Sequence, residues 1–281
     1  MTPLLELRGV HHGYRQGGLF SRRRQPVLEE AGLTIGPGEC VALLGPTGSG
    51  KSTLGRLMLG LEAPEAGRIL FEGQPLRDAR GRVAPATRRA IQAVFQDPFG
   101  ATSPRLSAFA VVAEPLLAER LPAAELRARV AGLMLRVGLE PGLMDRLAHR
   151  LSGGQLQRLC IARALAPGPR LVLLDEAVNS LDLETQGRIL ALLADLRRQA
   201  GVAYLFITHD LRLVRGFADR CYVMQERRPV EVADPFGPGP QPPALAALRA
   251  AILPARPRSR GPLAHETLTT GAAPRQPIQQ F

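Results

Sequence analysis

The chain of 281 residues carries 36 Lys and Arg against 25 Asp and Glu, a formal charge of +11, with 45% hydrophobic residues. That suits one large domain, and no apolar run nears the ~18 residues that cross a bilayer. The basic balance points to an anionic partner (phosphate, nucleic acid or a membrane surface) or to compositional drift toward Arg. Cys40, Cys160 and Cys221 are far apart in apolar runs. They predict buried free thiols rather than a metal site or a disulfide framework. The start, MTPLLELRGV, lacks the basic-then-apolar pattern of a secretory signal. A soluble, cytoplasmic protein is expected, with any membrane role exercised through a partner.

In chain order, residues 3–14 alternate loosely and predict a strand, and 15–26 (RQGGLFSRRRQP) a polar, basic loop. ECVALLG, 39–45, is a short apolar strand ending in glycine, and STLGRLMLGL, 52–61, has helical periodicity. Residues 64–76 predict a turn, a strand and a second turn, and 87–96 a further strand ending in VFQ. From about 98 to 166 the pattern is helical, with ELRARVAGLMLRVGL the clearest amphipathic helix. RLVLLDE, 170–176, is a buried strand; 185–200 is a helix stopped by Gly201; VAYLFITHD, 202–210, is another buried strand. Apolar strands alternating with helices predict a mainly parallel α/β sheet. From Asp234 onward Pro and Gly dominate, interrupted by one short helix, ALAALRAAIL. Residues 234–281 are therefore expected to be a largely disordered tail.

GPTGSGKS, Gly45 to Ser52, fits G-x-x-x-x-G-K-[ST] at every position, between an apolar strand and a helix. The turn Gly45, Pro46, Thr47, Gly48, Ser49, Gly50 would curl backbone N–H groups around phosphate oxygens at a helix N-terminus. Lys51 would reach the β- and γ-phosphates, Ser52 would hold Mg²⁺, and Thr53 is placed to touch the α-phosphate. Lys51 is the only lysine in a chain that otherwise uses Arg. A compact point charge, not a planar fork, is what this position asks for. The motif indicates a nucleoside triphosphate without choosing among kinases, GTPases and ATPases.

In LLDEAVNSLDLE, 173–184, an apolar strand ends in two adjacent carboxylates, Asp175 and Glu176. Alternation along a strand turns them to different sides. Asp175 would face Mg²⁺ beside Ser52, and Glu176 would orient or deprotonate the attacking water. Alone, the pair would suit a strand-end turn with solvated acids. Beside the phosphate loop, the catalytic reading is preferred, because the cation offsets the repulsion.

LSGGQLQRLCIARAL, 151–165, resembles the signature segment of ABC-type ATPases, and with the phosphate loop and paired acids it places the resemblance over residues 3–233. Ser152, Gly153, Gly154 and Gln155 open a helix and make a second anion site. The resemblance implies an ATPase core with a mainly parallel sheet, an N-terminal antiparallel β subdomain and a helical signature subdomain over about 98–166. It implies head-to-tail packing of two cassettes, each signature turn capping the ATP held by the other. It also implies that Tyr14 stacks on adenine, that Gln96 senses Mg²⁺, that His209 touches the γ-phosphate, and that Asp182 speaks across the dimer. ATP and Mg²⁺ are the implied cofactors.

A lone cassette without membrane spans or long coiled coils suggests an importer subunit. The basic loop after Tyr14 and VFQDPFGATSPRLSAFAVVAEPL, 94–116, resemble the oligopeptide/dipeptide/nickel group. DEAVNSLDL, ITHDLRLV, HHGY and AILPARP look most like its nickel-import ATPases, and the cysteine cluster frequent in peptide members is missing from this tail. The implied partners are a second, non-identical ATPase, two membrane-spanning permeases and an external solute-binding protein, on the cytoplasmic face of the bacterial inner membrane. A di- or oligopeptide importer is the alternative. A soluble nucleic-acid ATPase is disfavoured because no basic, aromatic-interleaved patch is present. His11 and His12 are adjacent, so alternation sends them to opposite faces rather than onto one nickel ion. Two departures from the family stand out. Ala177 replaces the common Pro, and QERRPVE, 225–231, lacks the usual turn glycine, with Pro229 suggesting an edge strand or a bulge.

Overall fold

The computed structural model describes residues 2–15, 24–238 and 241–251. Two sheets organise them. The first is antiparallel, in the order β2 (Arg24–Ile35), β1 (Leu5–Arg15), β4 (Ala66–Phe71), β5 (Gln74–Pro75). The second has six strands: β10 (Arg228–Val232), β9 (Arg220–Gln225), β3 (Cys40–Leu44), β8 (Ala203–Ile207), β7 (Leu171–Asp175) and β6 (Ile91–Val94), in that order. All neighbours in it run parallel except β10, which returns antiparallel to β9. Every residue of β3 and β8 is buried. That is what strands covered on both faces require, and why they appear in the sequence as unbroken apolar runs.

Eight α-helices accompany the sheets among the described residues: α1 (Lys51–Met58), α2 (Pro85–Ala90), α3 (Ala108–Ala113), α4 (Ala123–Arg136), α5 (Gly153–Leu165), α6 (Leu183–Ala200), α7 (Leu211–Val214) and α8 (Pro243–Ala251). The stripe Val130, Leu133 and Met134 on α4 packs with Val112, Leu116, Leu156 and Leu159 into one apolar cluster. The helical region expected over 98–166 is thus a packed layer around α5. The long α6 stops at Gly201, whose φ of 64° supplies the left-handed cap that glycine adopts without strain.

Two expectations need adjusting, and between them one departure from the family is resolved. The strand expected over 87–96 is confined to Ile91–Val94, because residues 85–90 form α2. Pro85 at the first helical position and Arg88 and Arg89 in the last turn favour that short helix. The turn between β9 and β10 is built without glycine: Glu226 and Arg227 both take left-handed φ, 47° and 67°. It is held by Arg227 donating to Glu29 at 2.7 Å and by the Glu29 N–H donating to the Arg227 carbonyl at 3.1 Å. Pro229 sits on β10, an edge strand of its sheet, where a missing N–H costs no ladder bond. Finally, α8 is part of the body. Leu245 is fully buried among Ala42, Leu44, Val214, Cys221 and Val223, so the compact unit reaches Ala251, beyond the expected boundary at 233. Residues 16–23 of the basic loop and 252–281 of the tail lie outside the described residues. The three cysteines are buried free thiols, and burial pushes the Cys160 thiol up to about 11 and that of Cys221 to about 12.

Candidate active site

In a parallel sheet the carboxyl ends of the strands open onto one crevice, and that is where ligands bind. Here β3 lies beside β8, and β8 beside β7. This order sets the loop after β3 next to Asp175 at the end of β7 and His209 just beyond β8. The loop 45–50 has its outer residues Pro46, Thr47 and Gly48 exposed. Gly50 caps α1 at φ 100°, a conformation foreign to other residues, and no side chain caps the helix. The first-turn N–H groups of α1 are therefore left for a ligand. The Ser49 hydroxyl is buried in the same loop without a partner.

Lys51 is 6% exposed. Its ammonium donates to the Gly45 carbonyl at 2.8 Å and the Pro46 carbonyl at 2.9 Å, folded back across its own loop. Burial lowers its pKa, opposed by the charges of Glu176 and Asp175. Asp175 is pushed the other way. Burial raises its carboxyl above the usual range, against a hydrogen bond from Ser52, and the neighbouring Glu176 adds to the rise. A hydroxyl and a half-buried carboxylate in mutual contact are hard oxygen donors of the kind Mg²⁺ takes.

Glu176 diverges from Asp175 through its backbone. Its φ is 51°, left-handed for a residue with a side chain, and its N–H donates to the Ile207 carbonyl at 2.9 Å. Strain of this kind is held in place only by surrounding contacts and clusters at functional sites. The Glu176 carboxylate then lies 3.2 Å from His209 Nδ1. Lys51, Ser52, Asp175, Glu176 and His209 thus form one cluster, brought together from three adjacent strand ends.

The other expected site residues stand around it. Gln96 is exposed two residues past β6, and its loop is held by the fully buried Gln157, which donates to the Phe95 carbonyl at 3.1 Å. Ser152 caps α5 in a reciprocal box: its hydroxyl accepts from the Gln155 N–H at 3.2 Å, and its N–H donates to the Gln155 side chain at 3.0 Å. Gly153 follows in an exposed turn, and among the described residues no hydrogen bond or ion pair joins this turn to the cluster. Asp182 caps α6 by accepting from the Thr185 N–H at 2.9 Å, which holds its carboxyl below the usual range. Thr53 is buried, with its hydroxyl 3.3 Å from that of Tyr14. His11 turns to Glu30 at 2.7 Å and His12 toward Glu62 at 3.0 Å, so the two imidazoles face different partners.

The ABC transporter family profile matches residues 28–179, over half the chain and containing the phosphate loop, the signature turn and both acids. The chain belongs to the ABC transporter family. Within that family it is 51% identical to the nickel import ATP-binding protein NikE of Rhodospirillum rubrum, over 92% of this chain and 94% of the relative. Among solved ABC structures, cbiO1 of Clostridium perfringens, part of the ABC transporter complex cbiONQ, matches with a TM-score of 0.69 and 31% identity over 82% of this chain and 88% of its own. A dimeric ATP-binding cassette in a post-hydrolysis state bound to ADP and Pi matches with a TM-score of 0.73 and 30% identity, over 81% and 97%. The ABC fold therefore accounts for both sheets and the helical layer together.

Two contributors escaped sequence reasoning. Gln157 sits inside the signature helix and looks like an ordinary polar helix residue until its carbonyl partner is seen. Glu62 follows α1 in a turn, and its partners lie on β1 and α1.

Proposed function

We propose that this chain is the ATP-binding and ATP-hydrolysing subunit of an importer that carries nickel ions across the bacterial inner membrane. The convergence of Lys51, Ser52, Asp175, Glu176 and His209 at three strand ends supports the ATPase reading. In it, the open N–H groups of α1 and the Ser49 hydroxyl receive phosphate oxygens. Lys51 releases the Gly45 and Pro46 carbonyls and turns to the terminal phosphates. Ser52 and Asp175 would hold Mg²⁺, with Gln96, in the loop after β6, as a further oxygen donor. Bound Mg²⁺ neutralises phosphate charge, and hydrolysis is then mostly a matter of positioning. Glu176 takes a proton from the attacking water, His209 contacts the γ-phosphate side, and Tyr14 supplies the adenine platform. Ser152, Gly153, Gly154, Gln155 and Asp182 face the nucleotide and phosphate loop of a second cassette.

The cargo reading rests on the 51% identity to a nickel import ATP-binding protein across nearly the full length of both chains. No described helix is long and apolar enough to cross a membrane. Two permease subunits, an external binding protein and a second, non-identical ATPase complete the machine, and they bring this subunit to the membrane. Deleting this chain and measuring radiolabelled nickel uptake, with peptide uptake in parallel, tests the reading. Nickel uptake should fall and peptide uptake persist. Normal nickel uptake with failed peptide uptake contradicts it.

A further inference from the structure

The Tyr14 hydroxyl is unusually well held for a residue that is 38% exposed. It donates to Glu62 at 2.9 Å, accepts from Arg56 at 2.9 Å and lies 3.3 Å from the Thr53 hydroxyl. Arg56 in turn binds the other Glu62 oxygen at 2.8 Å. His12 packs edge-on against the Tyr14 ring, at 5.2 Å between centroids, with its Nε2 3.0 Å from Glu62 but off hydrogen-bond alignment. The backbone is gripped from the same side. The Gly13 N–H donates to Glu65 at 3.1 Å, and the Glu65 N–H donates to the His11 carbonyl at 2.9 Å.

Arg56 and Thr53 sit on α1, and Glu62 and Glu65 in the segment that leaves it. One helix therefore begins with the phosphate-binding Lys51 and Ser52 and, along its length, clamps the aromatic ring of β1. We propose that Arg56 and Glu62 are base-positioning residues: by fixing the Tyr14 hydroxyl they set the distance between the adenine platform and the phosphate loop. This rests on the ATP-site reading above. Neither residue touches the nucleotide. They act by holding the ring in one orientation before the base arrives, which removes an ordering cost from binding. They also make the site selective for a ligand with a base at the right distance from its phosphates.

The test compares two ligands on the purified full-length chain. ATP uses the phosphate loop and the platform, whereas inorganic triphosphate uses the loop alone. Glu62→Gln, Arg56→Met and Tyr14→Phe should each weaken ATP binding about three- to ten-fold, the scale of one ordered side chain. Triphosphate binding should stay within about two-fold of wild type. Tyr14→Phe keeps the ring and its packing, so it remains informative if either clamp variant folds poorly. Unchanged ATP affinity in Tyr14→Phe and Glu62→Gln overturns the proposal. An equal loss for ATP and triphosphate also overturns it, because that is the signature of a brace that merely stabilises α1. Lys51→Ala separates the two readings: it should weaken both ligands, and normal binding of both would remove the nucleotide site itself.

Discussion

Replacing Glu176 by Gln isolates the proposed base with little disturbance. The left-handed backbone at this position is held by the Ile207 carbonyl, a contact indifferent to the side chain. The Gln amide oxygen can keep the 3.2 Å contact to His209 Nδ1. What disappears is the capacity to accept a proton from water, and one negative charge beside Lys51. Loss of a positioned general base slows reaction about 10²- to 10⁴-fold. That corresponds to about 3–5 kcal/mol of barrier. Removing an anion from an anion-binding site cannot weaken ATP binding electrostatically, so affinity is retained or rises. With the partner ATPase present, single-turnover hydrolysis should therefore fall by at least about 100-fold, while ATP remains bound and size-exclusion chromatography shows an ATP-dependent dimer of the two chains. A turnover rate within about three-fold of wild type would refute the assignment of Glu176 as the base.

Two further outcomes follow from groups held at a cost. Burial raises the Asp175 carboxyl in the folded chain, because it disfavours the charged form. Its contribution to stability is present below the unfolded pKa and is lost as pH rises through the folded value. Asp175→Asn should therefore raise the melting temperature of the nucleotide-free protein at neutral pH while abolishing Mg²⁺-dependent stabilisation by ATP; a lowered melting temperature would contradict this. Tyr204 is fully buried against Phe217, with a hydroxyl that has no partner. Tyr204→Phe keeps the packing and removes the orphan, and should stabilise the protein by about 1 kcal/mol in urea unfolding. A loss of stability would mean that a buried water satisfies the group.

The parts of this molecule legible in its sequence are those whose physics is local. β3, β7 and β8 are covered on both faces and so are written as continuous apolar runs. The phosphate loop, signature turn and paired acids each occupy consecutive residues. Gly201 announces the end of α6 because a left-handed cap is a single-residue requirement. The less legible parts depend on distant partners. Glu62 meets Tyr14 across 48 positions, and Gln157 meets Phe95 across 62. β2 carries Glu29 and a left-handed Glu30 among its apolar residues, and its register with β1 is broken by irregularities, so its alternation is blurred. The segment after Asp234 looked like a tail because Pro and Gly dominate it. Only the apolar surface offered by β3, β9 and α7 explains why Leu245 is buried.

The central claim is that ATP turnover at this site drives nickel import. It is tested most directly by measuring radiolabelled nickel uptake in cells lacking this chain, complemented with wild type or with Glu176→Gln. Wild type should restore uptake and Glu176→Gln should leave it at the level of the deletion, although the variant still binds ATP. Nickel uptake at the wild-type rate with Glu176→Gln, or in the uncomplemented deletion, would contradict the account.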